Sequence, residues 1–370
     1  MPWRDALIAH LAPGFLAGIT FGDWLRLLQD NRVAVAPRRL PRAATIAWHA
    51  AQNTAIARLE ERRYGPKLEG VTVLPPIFIL GHWRNGTTHL HNLLATDQRF
   101  AFPTMYQALF PHTFLTTEAS SARIMGFFLT QRRPMDNVEW SMQSPQEDEF
   151  ALCASSLRSP YLGWVFPSRR RHYDRYLTLS EVPPGEVQAW RQAFLRFLTK
   201  LTWKHGRPLV LKSPTHTCRI GHLLAMFPDA RFVHIRRDPY AVFPSSRAMF
   251  QVNFAISGLE RPRLDGLDDW ILRQYQLMYE RFFEERALIP EGRLHEVRFE
   301  EIEADPVGEV ARLYDALDLP DFPEAEGALR RYVDRIAGYR KNAFPTLPAD
   351  MRARIARAWR PCFEAWGYAE

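Results

Sequence analysis

Cysteine is scarce. Cys153, Cys218 and Cys362 are the only three in 370 residues, and they form neither a C-x-x-C pair nor a metal-type spacing. Their scarcity speaks against a disulfide framework and a zinc site and suits a reducing, cytoplasmic setting. Lysine is rare as well, so nearly all of the 48 basic residues are arginine. No repeat or low-complexity tract occurs, which excludes solenoid and fibrous architectures. An apolar run of bilayer length is also missing. The stretch over residues 6–28 is broken by His10, Pro13, Gly14, Asp23 and Arg26, so it reads as neither a secretory signal nor a membrane span. Two readings remain for it: a helix packed on the protein's own core, or a peripheral contact. In the second, Trp3, Phe15, Phe21 and Trp24, followed by Arg38, Arg39 and Arg42, rest on a membrane surface.

The apolar content of 46% and charged content of 24% are those of an ordinary globular chain, long enough for one large α/β domain or two smaller ones. The net charge of +7 favours anionic partners, whether nucleotide, nucleic acid or acidic lipid.

Residues 1–70 read as a helical N-terminal segment, with the clearest helix over 43–63 ended by Gly65-Pro66; residues 71–370 read as the main domain. There the pattern changes. Residues 76–80, 208–211 and 231–235 are short apolar runs of the kind found in strands buried on both faces, and 294–299 alternates as a fourth strand. Helical patterns over 87–95, 187–204, 216–227 and 239–250 separate them. Strands alternating with helices imply a central parallel sheet flanked by helices, a three-layer sandwich that binds ligands at the carboxyl edge of its strands.

Each candidate motif begins one or two residues after a strand. The first reads Gly81-His82-Trp83-Arg84-Asn85-Gly86-Thr87-Thr88 and opens a helix. Its G-x-x-x-x-G-T-T spacing is that of a phosphate-binding loop in which Thr87 replaces the lysine of nucleoside triphosphatases. The backbone N–H groups and the helix dipole still form an anion cradle, while the group that reaches β- and γ-phosphates is gone. Such a loop suits a donor with a single 5′-phosphoryl group and no metal. Arg84 supplies the cation, and its role is electrostatic because guanidinium does not give up a proton near neutral pH.

The second strand runs into Lys212-Ser213-Pro214-Thr215-His216, which places a cation and a candidate proton acceptor at the same edge. The third runs into Arg236-Arg237-Asp238-Pro239. Asp238 and Pro239 cap and start a helix, and Arg237 with Ser245 can grip a second phosphate.

Together these residues resemble the sulfotransferase family that uses 3′-phosphoadenosine 5′-phosphosulfate, in its bacterial branch. Residues 81–88 look like the family's 5′-phosphosulfate loop, and Arg237, Asp238, Pro239 and Ser245 match its 3′-phosphate signature. The resemblance runs from about residue 76 to the C-terminus and implies a P-loop-like sulfotransferase fold. It also implies that Arg84 is the catalytic cation and that Asn85, Gly86, Thr87 and Thr88 hold the 5′-phosphate. Arg237 and Ser245 then hold the 3′-phosphate, and adenosine 3′,5′-bisphosphate is the product, without metal. The family's closing Arg-Lys-Gly corresponds here to Arg340-Lys341-Asn342, in which the glycine is replaced.

On this reading the chain moves a sulfuryl group to a hydroxyl or amine of a small-molecule or lipid-like acceptor, with Arg84 and Lys212 stabilising the departing nucleotide. His216 ranks first as base, followed by Glu147 and Glu149 in the segment Ser144-Pro145-Gln146-Glu147-Asp148-Glu149, where Ser144 reads as a helix cap. The aromatic stretches 100–114 and 161–166 read as pocket lining or as core. A nucleotide kinase or nucleotidase is the first alternative, opposed by the missing loop lysine. The second, a non-catalytic nucleic-acid binder, lacks any recognisable module.

Overall fold

The computed structural model describes residues 11–126 and 140–369; Trp3 and the beginning of the 6–28 stretch lie outside them. The chain divides into two compact units. One comprises Leu74–Phe102, Arg207–Met249 and Asp265–Glu370, the other Met1–Val73, Pro103–Gly206 and Phe250–Leu264.

The first unit contains all four strands of the sheet: β1 (Ile77–Leu80), β2 (Val210–Lys212), β3 (Arg231–Arg236) and β4 (Leu294–Arg298). Their order is β2-β1-β3-β4 and every pairing is parallel. Ile79 lies opposite Lys212 and Leu80 opposite His234, so the strands end together at one edge. The chain leaves β1 for β2 on one side and crosses to β3 on the other. The reversal of direction opens the crevice beside β1 where ligands bind in such sheets.

Alternation along the strands sorts side chains onto two faces. On one, Ile77, Ile79, Val233 and Ile235 pack with Leu90 and Leu93 of the helix Thr87–Leu94 and with Val310 and Leu313 of the helix Pro306–Ala316. On the other, Phe78 meets Phe232, Phe227 and His216, while His234 lies against Phe282 and Trp366. Every residue of β1 is at most 2% exposed, and full burial of each such side chain contributes about 1.5–3 kcal/mol. Helices on both faces of a parallel sheet form the expected three layers.

The second unit is helical. Its long helix Leu40–Leu68 continues through Gly65-Pro66 rather than stopping there. Proline deletes one hydrogen bond close to the helix end, and the burial of Leu68 to 4% exposure holds the last turn in place. Asn53 on this helix donates to the carbonyls of Ala17 and Ile19 at 2.7 and 3.1 Å. Glu60 accepts from the Thr116 N–H at 2.8 Å and forms a buried ion pair with Lys200. These bonds tie the helix Leu40–Leu68 to residues on either side of it in the same unit. Trp24, Arg39 and Arg42 are buried, and Phe15 stacks on Phe150 at 4.7 Å. These four belong to the unit's own packing. Among the described residues no helix is long and apolar enough to cross a membrane.

Two local expectations are corrected. The helix read over 216–227 is a 3₁₀ turn, Pro214–Cys218, and a separate helix, Ile220–Met226, divided by Arg219 at φ −133° and ψ 22°. The helix read from Ser144 begins at Glu149; the Ser144 hydroxyl instead accepts from the Ser141 N–H at 2.8 Å.

Candidate active site

The loop after β1 is built by backbone geometry that few residues tolerate. Gly81 has φ 143° and Gly86 φ 97°. A Cβ on Gly86 would stand 2.3 Å from the ring of Phe299, and one on Gly81 would stand 2.7 Å from the Ile235 carbonyl. Only glycine fits either place. The Gly81 N–H donates to the Thr217 hydroxyl at 2.7 Å. Beneath the loop the buried Tyr279 hydroxyl accepts from the His82 N–H at 3.1 Å and from the Asn85 side-chain amide at 2.8 Å. Asn85 also donates to the Ile235 carbonyl at 3.1 Å. Asn85 is therefore an anchor of the loop, its side chain committed to β3 and Tyr279.

Arg84 sits at φ 73°, a left-handed conformation that costs a non-glycine residue about 1–2 kcal/mol. It is held there from both ends. Arg237 donates to the Arg84 carbonyl at 2.9 Å, and the Arg84 Nε donates to the Ser245 hydroxyl at 2.8 Å. The groups read from two separate motifs, one for each phosphate, thus form a single hydrogen-bonded chain. Lys212, 1% exposed at the end of β2, places Nζ 3.4 Å from the Thr88 hydroxyl in the first turn of the loop helix. Asp238 caps the helix after β3 by accepting from the Tyr240 N–H at 2.9 Å.

Phe299 was not legible as a site residue. Its ring presses on Gly86 and carries the Arg237 guanidinium 4.2 Å from its centroid and Lys341 Nζ at 5.6 Å. Lys341 also pairs with Glu303 at 2.6 Å, whereas Arg340 is exposed. Burial lowers the Arg237 pKa from its ordinary value, with neighbouring carboxylates opposing the shift. The same edge gathers three fixed cations, Arg84, Lys212 and Arg237, around backbone N–H groups at a helix start. Such an arrangement has the chemistry to bind an anion and to stabilise charge developing on one.

His216 has no exposed surface, and its ring meets Phe78 edge-on at 5.2 Å on the packed face of β1. Glu147 and Glu149 belong to the helical unit. Glu149 is wholly buried in the first turn of its helix; Glu147 is 8% exposed and accepts a short hydrogen bond from the Tyr161 hydroxyl. The aromatic stretches are core: Tyr106, Phe114, Tyr161, Trp164 and Phe166 are each at most 3% exposed. A cavity of about 620 Å³ in this unit is lined by Gln107, Glu118, Lys204 and His205; Thr104 and Gln107 of the stretch 100–114 border it, and none of the candidate catalytic or nucleotide-binding residues does.

The model of the sulfotransferase family matches residues 75–324. Proteins named omega-hydroxy-beta-dihydromenaquinone-9 sulfotransferase Stf3, from Mycobacterium bovis and Mycobacterium tuberculosis, are each 39% identical to this chain over 367 residues. The alignment covers 99% of this chain and 93% of theirs. The chain belongs to the sulfotransferase family. Solved structures of sulfotransferase STF1 from Mycobacterium tuberculosis and STF9 from Mycobacterium avium share the fold, each with a TM-score of 0.69. STF1 is 21% identical with 92% of each chain covered, and STF9 is 20% identical with 90% of this chain and 87% of its own covered. Membership implies a sulfuryl donor and sets aside the kinase and nucleic-acid-binder alternatives.

Proposed function

We propose that this sulfotransferase uses 3′-phosphoadenosine 5′-phosphosulfate as donor and sulfonates a hydroxyl on a lipid-like acceptor of the isoprenoid-quinone class. The observation that carries the donor reading is the chain Arg237–Arg84–Ser245, which joins the two phosphate motifs in one unit. Gly86, Thr87 and Thr88 offer backbone and hydroxyl donors to the 5′-phosphate, and Arg237 and Ser245 to the 3′-phosphate. Lys341 closes over the Phe299 ring. The absence of a loop lysine favours this donor over a triphosphate. The acceptor class is supported by the full-length relatives whose names specify a hydroxylated dihydromenaquinone.

The chemistry is an in-line displacement. The acceptor oxygen bonds to sulfur as the sulfur–oxygen bond to the 5′-phosphate breaks, and the electron pair leaves with the nucleotide. Arg84 and Lys212 offset the negative charge that grows on the departing oxygens. The acceptor's proton goes to a base. The candidates for that base remain Glu147, whose carboxylate accepts from the Tyr161 hydroxyl, Glu149, and His216, whose ring is enclosed against Phe78.

The test is thermal and needs no acceptor. Adenosine 3′,5′-bisphosphate raises the melting temperature with chelator present, ATP does little, and Ser245→Ala weakens the bisphosphate about tenfold. Equal shifts from both nucleotides would overturn the donor assignment. Mass spectrometry of quinol lipids incubated with enzyme and donor, read for one added sulfonate, tests the acceptor.

A further inference from the structure

The helix Leu40–Leu68 presents a second surface that the transfer reaction does not use. Pro41, Ala44, Trp48, Ala51, Ala55 and Leu59 follow one another at intervals of three or four and are all exposed. At that spacing they share one side of the helix, a stripe about 27 Å long at 1.5 Å per residue. Trp48 is 66% exposed and Leu59 56%. The Phe21 N–H donates to the Thr54 hydroxyl at 2.8 Å, so the helix Phe21–Asp30 lies alongside, with Phe21 and Leu25 exposed at 40% and 45%. Single exposed apolar side chains are ordinary, but a continuous line with tryptophan at its centre marks an interaction surface.

Its charge names the occupant. From residue 31 to residue 59 there is no aspartate or glutamate, and arginine occurs five times. Arg39 and Arg42 are buried, which leaves Arg32, Arg38 and Arg58 exposed; beyond Leu59, Glu60 is buried against Lys200 and Glu61 pairs with Arg196, and the exposed Arg62, Arg63 and Lys67 give that end its positive charge. A stripe with cations at both ends is not complementary to a second copy of itself, because either orientation brings like charges together. An anionic bilayer surface complements it in both respects: tryptophan and leucine enter the headgroup boundary, and arginines meet lipid phosphate.

We propose that the exposed face of Leu40–Leu68 docks this enzyme on anionic membrane surfaces through Trp48 and Leu59, with Arg58 and Arg62 contacting lipid headgroups. This inference does not rest on the acceptor reading, and its test reads binding rather than turnover. The full chain is sedimented with vesicles of phosphatidylglycerol and phosphatidylcholine, and with vesicles of phosphatidylcholine alone. The expected result is binding to the anionic vesicles that weakens with salt. Trp48→Glu with Leu59→Glu lowers it at least about tenfold, and Arg58→Gln with Arg62→Gln lowers it several-fold. The melting temperature of each variant reports whether it is folded; should the glutamate pair unfold, Trp48→Ser with Leu59→Ser replaces it. No binding by the parent chain, or equal binding by parent and variants, overturns the proposal. So does a light-scattering result in which the Trp48 and Leu59 substitutions split a dimer while vesicle binding stays unchanged, which would give the stripe to a second copy.

Discussion

In the sheet-bearing unit the site's charges are cations at strand ends, Lys212, Arg237 and the loop's Arg84, whereas the helical unit holds three consecutive buried carboxylates, Glu147, Asp148 and Glu149. The first set follows from topology. Parallel strands end together, and a side chain just past a strand end joins its neighbours however far apart they are in sequence. No such rule governs the second set. A carboxylate in a helical bundle is placed by whichever partners surround it, here Tyr161 for Glu147. The difference explains why the cations' shared edge can be read from sequence while the surroundings of the buried carboxylates cannot.

The sharpest way to break this comparison is to exchange the roles of its two candidate bases. Glu147→Gln is expected to lower kcat by about 10²- to 10⁴-fold, with bisphosphate affinity kept. His216→Gln is expected to lower the melting temperature with a smaller effect on kcat, because it disturbs the packing on Phe78. The opposite pattern would assign the base to His216. Next in size, Arg84→Ala is expected to reduce turnover about 10²- to 10³-fold in single-turnover kinetics, while bisphosphate affinity changes less than about tenfold. Retained turnover would remove Arg84 from the chemistry.

A smaller effect tests the loop's backbone. Gly86→Ala places a Cβ on the Phe299 ring at a left-handed φ, and a loss of about 1–3 kcal/mol is expected in chemical denaturation. The pairing of Gly86 with Phe299 predicts that Phe299→Leu recovers part of that loss. A loss that persists in full in the double variant assigns the cost to φ alone.

The smallest effect compares the units by pH. Burial holds His82 of the sheet unit at about 3 and His112 of the helical unit at about 4, both below the ordinary 6.5. Below 6.5 the unfolded chain takes up protons that the folded one refuses, so stability is intact above that value and falls as pH drops toward 4. Melting temperatures measured across this window are expected to decline, and His82→Asn or His112→Asn flattens the decline by the share of its own unit. A flat profile in the parent chain contradicts both shifts.

Several site residues lie beyond any sequence pattern. Tyr279 supports the loop from a helix almost two hundred residues away, and Phe299, at the start of the helix after β4, is the floor on which Gly86, Arg237 and Lys341 meet. Tyr279 occupies no turn, cap or motif position that would single it out, and Phe299 lies in a segment, 297–302, that resembles the family's closing strand-then-helix element without marking its ring. The resemblance in the closing loop rested on Arg340 and Lys341, but only Lys341 reaches that ring. The direction of the Asn85 amide, toward β3, follows from no pattern in the loop. Misreadings of local structure had local causes, since Pro66 ends a pattern on paper but only removes one bond near a buried helix end.

What the residues determined alone was set by near neighbours: four short strands, glycines at the two tight points of the loop, a cap at Asp238, and cations one or two positions past strand ends. Those follow from steric limits and hydrogen-bond supply within a few residues. Tertiary structure decided the rest. It joined Arg237, Arg84 and Ser245 into one chain, enclosed His216, and left Trp48 facing outward on a helix whose other side is covered. Packing makes those choices, because burial and partnership are set by residues that sequence distance does not relate.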